Sequence, residues 1–178
     1  KMEFTELIKI RQSVRKYIDK PVEREKVEQC IEAARLSPSA NNSQPWKFIV
    51  VDDKQINKQI SEASNTMGLN KFVAQAPIII AVVLENMNFL SSFASQVQDK
   101  KYSLIDIGIA VNQLCLQAAE IGLGTCIVGW FNEPKVKQLL NVPKNKRIPL
   151  IITMGYTDIQ IRPKIRKTID KISSWNRY

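Results

Sequence analysis

The chain has 178 residues, 44% hydrophobic and 24% charged, with a formal net charge of +9; this is a globular composition, long enough for one domain over residues 1–178 whose core needs neither disulfide nor metal. It contains no histidine, which excludes Ser-His-Asp triads, Cys–His nucleophile pairs and every histidine-ligated metal site. Cys30, Cys115 and Cys126 lack C-x-x-C spacing and are too few for a four-cysteine site, so no metal is expected, and the odd, sparse count reads as reduced and intracellular.

The first seventeen residues, KMEFTELIKIRQSVRKY, lack the unbroken apolar stretch of a signal peptide. Next, Arg11, Ser13 and Arg15 alternate in the run RQSVR. In an extended segment they project from one side, which suits a phosphate that accepts two guanidinium forks and a hydroxyl; surface arginines are the plainer alternative. Pro21-Val22-Glu23 opens a helix with acids in its first turn and Val27, Cys30, Ile31 and Ala34 at helical spacing, ending before Pro38. Residues 37–46, SPSANNSQPW, are a polar stretch that can present backbone amides to a ligand.

Residues 46–51 form a β-branched strand, with Asp52-Asp53 in a turn role before a helix over 52–62. Residues 77–84 read as a buried strand and 103–121 as a long helix, apolar nearly all round and therefore central and buried. Its polar residues Asp106, Gln113, Gln117 and Glu120 keep to one stripe and disqualify it as a membrane span. Gly122 and Gly124 stand where a C-terminal cap belongs. A short strand over 125–128, a helix over 133–140 capped by Asn132 with Pro134 just inside, and a strand over 150–155 complete the order. The pattern is α+β: a small mixed sheet flanked by helices around a long buried central helix. No membrane contact is expected, and the cytoplasm is the expected compartment.

The charge is lopsided. Residues 1–134 balance 15 basic against 15 acidic side chains, whereas 135–178 hold 11 basic and 2 acidic ones. A basic C-terminal quarter suits an anionic partner, or else a solvated basic face. Gly122-Leu-Gly124 is not a dinucleotide fingerprint, because Ile127 stands where the third glycine is required, and there is no Walker A loop.

Three segments together resemble the nitroreductase family of FMN-dependent oxidoreductases in its small form: IRQSVRKY at 10–17, SPSANNSQPW at 37–46 and DIGIAVNQLCLQAAEIGLGTCIVGWF at 106–131. The resemblance covers nearly the whole chain and implies FMN as cofactor, NAD(P)H as donor, a small organic acceptor such as a nitroaromatic or quinone, ping-pong turnover and a homodimer. It implies that Arg11, Gln12, Ser13 and Arg15 form the N-terminal flavin motif, with Arg11 and Ser13 near the phosphate and Arg15 at the pyrimidine edge. Pro38, Ser39, Ala40 and Asn42 match a loop laid against the flavin by the other subunit. Cys126, Ile127, Val128 and Gly129 match the turn whose backbone amide approaches the hydride-accepting nitrogen. Arg166 and Lys167 match a basic pair at the phosphate, and Asn70 and Lys71 a ring-contacting position.

The chain also departs from the family. Gln12 replaces a commonly basic residue, which implies slightly weaker phosphate binding, and Thr168 replaces a common proline. Residues 85–102 match no motif. The chemistry agrees with the likeness, since a flavin enzyme needs position and electrostatics more than a catalytic acid or nucleophile. Trp130, Phe131, Phe89 and Phe93 are aromatic candidates for the open flavin face, or for core and interface. The alternatives are reductive dehalogenation, flavin cleavage or azoline oxidation on the same flavin, and a non-catalytic basic phosphate- or RNA-binding module. The module lacks exposed aromatics interleaved with its basic residues, so nucleic acid is not expected.

Overall fold

A computed structural model describes residues 2–86 and 101–178. The elements are α1 (Phe4–Ile10), α2 (Arg24–Arg35), β1 (Trp46–Val51), α3 (Lys54–Ser64), β2 (Ile78–Leu84), α4 (Tyr102–Glu120), β3 (Gly124–Val128), α5 (Glu133–Leu139) and β4 (Arg147–Gly155), with short 3-10 turns between some of them. The strands lie in the order β1-β2-β4-β3, each neighbouring pair antiparallel. The parallel component of the anticipated mixed sheet is a single bridge between Ser13 and Thr125. Among the described residues no helix is long and apolar enough to cross a membrane.

β2, with the sequence IIIAVVL, is buried on both faces up to Leu84, as expected for a strand covered on both sides. Successive side chains point to opposite faces. Ile78, Ile80 and Val82 meet Val27, Cys30 and Ala34 of α2 and Ile107, Val111 and Leu114 of α4. Ile79, Ala81 and Val83 join Ile60 of α3 and Val136 of α5 on the other side. Burial pushes the Cys30 thiol up to about 12, so it serves as a small apolar filler.

Local chemistry sets the helix ends. Asp53 caps α3 by accepting from the amides of Gln55 (2.9 Å) and Ile56 (2.8 Å), and Asn132 caps α5 by accepting from Lys135 N (3.1 Å). After α4, Gly122 takes φ +80°, and the amides of Gly122 and Leu123 donate to Ala119 O and Ala118 O, closing the helix at a left-handed glycine.

Three features differ from the sequence expectations. α1 is present although nothing in the pattern marks it; its seven residues bury no side chain, so no apolar stripe exists to read. β4 begins at Arg147 rather than 150. Pro149 is tolerated because the last pair with β3 is Val128↔Ile151, and the opposite ladder shifts register between Val82 and Leu84. Finally, among the described residues α4 is central but not covered all round. It buries Ile107, Val111, Leu114 and Ala118, yet Leu104, Ile105 and Ile109 remain 42%, 55% and 38% exposed.

The segment after α1 approaches the start of β3 closely. A Cβ on Gly124 would lie 2.7 Å from Val14 Cγ2, and Val14 is itself buried. Gly124→Ala is therefore expected to cost about 1–3 kcal/mol, the usual cost of an extra carbon in a filled core. Urea unfolding measures it; an unchanged midpoint would mean that Val14 moves aside freely.

Candidate functional site

Arg11 to Arg15 run extended along β3. Val14 N donates to Thr125 O (2.9 Å), and Val14 points into the core. Alternation therefore turns Arg11, Ser13 and Arg15 away from it, as the sequence spacing predicts. The Arg15 guanidinium lies 5.9 Å from the centre of the Phe72 ring, and Phe72 packs against Val14 and Tyr17. Two residues earlier, Asn70 Nδ2 donates to Trp130 O (2.7 Å). These contacts bring Arg15, Asn70 and the turn at 126–130 to the outer edge of the sheet. Gly129 has no atom within 4 Å of the position a Cβ would take, and Ile127 and Trp130 are exposed beside it. Lys71 is exposed and is not tied to this edge. Phe131 packs into the core on the α3 side; Phe89 and Phe93 lie outside the described residues.

Cys126 points inward, so only its backbone can serve the site. Burial pushes its thiol up, with Arg15 and a hydrogen bond from Ser13 acting in the opposite sense. Burial does the same to Cys115, where Thr125 and Arg11 oppose the shift. Both remain protonated at neutral pH and neither is a poised nucleophile.

The C-terminal segment returns over this motif. Gln12 Oε1 accepts from Arg162 N (3.2 Å) and Nε (3.4 Å), while Gln12 Nε2 donates to Gln160 O (3.2 Å). Arg162 Nη2 donates to Ser13 O (2.9 Å), and Lys164 Nζ donates to Arg11 O. The Lys164 ammonium is held below its ordinary pKa by burial, then by the positive charges of Arg11, Arg166 and Arg162. Arg166 is exposed within reach of this cluster; Lys167 is exposed and is not among these contacts. The sequence reading named Arg11 and Arg166 and missed Arg162 and Lys164. The only sequence signal for them was the basic run RPKIRK.

Pro38, Ser39, Ala40 and Asn42 sit elsewhere. Ala40 N donates to both carboxylate oxygens of Asp106 (3.3 and 3.2 Å), and Ser37 Oγ donates to Gln113 Oε1. Ser39 Oγ accepts from Gln44 N (2.9 Å). Asn41, Asn42 and Gln44 have φ of 49°, 52° and 47°, a left-handed conformation that asparagine tolerates better than most residues. The loop is thus preformed on the Asp106–Gln113 stripe of α4, whereas Arg11 acts on Cys115. Nine residues separate Asp106 from Cys115, which is about 180° around the helix. Within one chain, the loop and the basic cluster lie on opposite faces of α4.

A hollow of 130 Å³ lies beside Arg11, Gln12 and Thr125 at the basic motif. Larger hollows of 550 Å³ beside α3 and 940 Å³ beside α5 contain none of the sequence-predicted residues. The chemistry of the donor set therefore marks the site more firmly than cavity size does.

The description "Nitroreductase family" matches residues 8–69 and 63–156. An oxygen-insensitive NADPH nitroreductase of Helicobacter pylori is 29% identical, the alignment covering 84% of each chain. A crystal structure of a nitroreductase family protein from Clostridium difficile 630 superposes with a TM-score of 0.83 at 29% identity, covering 99% of this chain and all of that one. An FMN-dependent nitroreductase from Clostridium difficile R20291 is 30% identical over 97% of this chain and 98% of its own, with a TM-score of 0.77. With sequence and fold in agreement over nearly the whole length, the chain belongs to the nitroreductase family of oxidoreductases.

Proposed function

We propose that the chain is a cytoplasmic, homodimeric, FMN-dependent NAD(P)H oxidoreductase that passes hydride to a small organic acceptor such as a nitroaromatic or quinone. The observation that carries the reading is the convergence of Arg11, Lys164 and Arg166 on one spot. Lys164 bonds Arg11 O and Arg162 bonds Ser13 O, and the positive charges of Arg11, Arg166 and Arg162 all oppose the Lys164 ammonium, an arrangement that costs energy until an anion neutralises it. A phosphate monoester fits that donor set, and the FMN-dependent relative supports FMN as its carrier.

When bound, FMN supplies the two-electron chemistry, and the protein supplies position and field. Arg11, Ser13 and Arg166 hold the phosphate, with Lys167 at its outer side. Arg15, ordered by Phe72, places a cation at the pyrimidine edge, where it favours negative charge on that edge. The backbone at 126–129 orients the ring, and the open space at Gly129 lets the ring approach. Asn70, fixed on Trp130, lines its rim with Lys71.

Surfaces that the described residues leave bare support the dimer. Leu104, Ile105 and Ile109 form a stripe on α4, and Gly108 within it has nothing within 4 Å of a Cβ position, so a second helix can approach closely. Ile165 and Trp175 in the C-terminal segment are 92% and 93% exposed. Exposed apolar side chains of this size suit an interface. A hollow of 130 Å³ is also well below the roughly 300–1,000 Å³ of a cofactor-sized pocket. The partner's loop, with Pro38, Ser39, Ala40 and Asn42, supplies the missing wall.

Arg11→Ala and Arg166→Ala are each expected to weaken FMN binding roughly tenfold to a hundredfold, the worth of one charge-assisted contact. Riboflavin, which lacks the phosphate, should bind more weakly to the parent and change little on mutation. Titration of flavin fluorescence measures both; equal losses for the two flavins would contradict the phosphate assignment.

Turnover should give parallel double-reciprocal lines, because the chain has one open face and no second nucleotide motif for a ternary complex. Steady-state kinetics with varied donor and acceptor decide the matter, and intersecting lines would remove the shared-face reading.

Mixing Arg11→Ala with Asn42→Ala protein tests the shared site. Random exchange places both lesions in one site of each heterodimer and leaves the other intact, so about a quarter of all sites should regain tight FMN binding. Absence of recovery despite demonstrated exchange would place both residues in the same chain's site.

A further inference from the structure

Gln12 sits where the family commonly carries a basic residue, and by charge alone its presence weakens the phosphate site. Its contacts show a different use. The side-chain amide of Gln12 donates to Gln160 O and accepts from Arg162 N, which copies the two-way pairing of one strand residue with its neighbour. The same oxygen also accepts from Arg162 Nε, and Arg162 Nη2 donates to Ser13 O. Gln12 and Arg162 are 150 positions apart in sequence, and this amide is what ties the C-terminal segment to the RQSVR motif at that point. Arginine or lysine at position 12 could not replace it, because both side chains carry donors only. The amide of Arg162 would lose its acceptor, and one more cation would stand among Arg11, Arg162, Lys164 and Arg166.

We infer that Gln12 is a positioning residue that latches Arg162 and the segment around it onto the flavin motif, and that Arg162 so placed is an additional phosphate-binding cation of this chain. The inference rests on the flavin reading above and goes beyond it in two respects. It assigns a binding role to a residue that the resemblance does not mark, and it reverses the expected effect of a positive charge at position 12. The Arg162 guanidinium uses Nε and Nη2 on Gln12 and Ser13, leaving N–H groups on Nη1 for an anion held at Ser13 and Arg11. Its planar fork, fixed on two sides before ligand arrives, loses little freedom on binding.

The test compares Gln12→Arg, Gln12→Ala and Arg162→Gln with the parent, each titrated with FMN and with riboflavin. Gln12→Arg separates the two views by sign. If charge alone matters it binds FMN more tightly, whereas loss of the latch weakens FMN binding roughly tenfold, by release of a charge-assisted contact, with riboflavin unchanged. Arg162→Gln should weaken FMN to a similar degree, and the double variant Gln12→Ala/Arg162→Gln should be no weaker than Arg162→Gln alone, since the latch acts through that guanidinium. Deuterium uptake of residues 157–166 in the flavin-free protein supplies a readout without cofactor, and both Gln12 variants should speed it.

Tighter or unchanged FMN binding by Gln12→Arg, equal losses for FMN and riboflavin, or unaltered exchange at 157–166 would each overturn the latch. A parent protein that fails to bind FMN would instead overturn the flavin reading itself. The two failures are thereby distinguishable.

Discussion

The amide of Val14 on the carbonyl of Thr125 holds together the parts of this molecule that bear chemistry. One hydrogen bond of 2.9 Å and the absence of a side chain at Gly124 let an N-terminal segment lie against the last strand of the sheet. Val14 then anchors in the core with Tyr17, whose hydroxyl bonds Val14 O and the Thr153 side chain. Burial of that phenol pushes its pKa well above the ordinary value, so it stays a neutral hydrogen-bonding post at any physiological pH. With one residue fixed inward, strand alternation turns its flanking residues outward without further cost. The polar reach of Arg11, Ser13 and Arg15 is thus a consequence of where Val14 is buried.

The return of the C-terminal segment depends on a second anchor at the end of β4. Tyr156 accepts from Lys26 Nζ (2.7 Å) and donates to Glu23 (2.5 Å), and its ring lies 4.0 Å from the Lys20 ammonium. Ile18 N also donates to Tyr156 O. The chain therefore leaves the sheet beside the RQSVR segment, and Thr157 Oγ1 donates to Lys16 O (2.8 Å) to keep it there. Gln12 and Arg162 continue the same line of contacts. Positive charge from two ends of the sequence is gathered by hydrogen bonds to uncharged acceptors, Arg162 on Gln12 and Ser13 O and Lys164 on Arg11 O, so these contacts do not neutralise the charge.

Much of this was legible in the sequence where the signal is local. The run WKFIVV marks β1 at its observed limits, and IIIAVVL marks β2, because a strand buried on both faces needs no polar alternation. Asn132 and Gly122 announce helix ends through their own capping chemistry, whereas Asp53, expected in a turn role, caps α3. The RQSVR alternation was readable because it reports a single extended segment. Pairings across about 150 residues were not readable. Nothing local distinguishes Arg162 and Lys164 from Arg166 and Lys167, since all four stand in one basic run, and Gln12 looked like a deficit until its acceptor oxygen found the Arg162 amide. The surplus apolar surface of α4 was legible, since a helix apolar nearly all round has more of it than one side of a small sheet can cover. Which residues stay exposed was not, because an all-apolar helix has the same sequence whether its last face meets its own sheet or another chain.

That ambiguity bears on the proposal that the chain acts in pairs. α4 must do two things that its cylindrical shape sets in opposition. Its Asp106–Gln113 stripe fastens the strained loop at 37–45, and its Cys115 side packs towards the basic motif. The loop and the cations cannot close on one ligand without passing through the helix that organises both. In the proposed dimer, a second copy related by a two-fold axis would remove the conflict by bringing the loop on the far face of one α4 to the basic motif of the other. The apolar residues between the two faces, Leu104, Ile105 and Ile109, are then covered by the contact that completes the site. Under that proposal cofactor binding and subunit association would be linked, because a ligand that requires both chains stabilises the pair by mass action, and the left-handed conformation of Asn41, Asn42 and Gln44 would hold the loop in shape before a partner arrives.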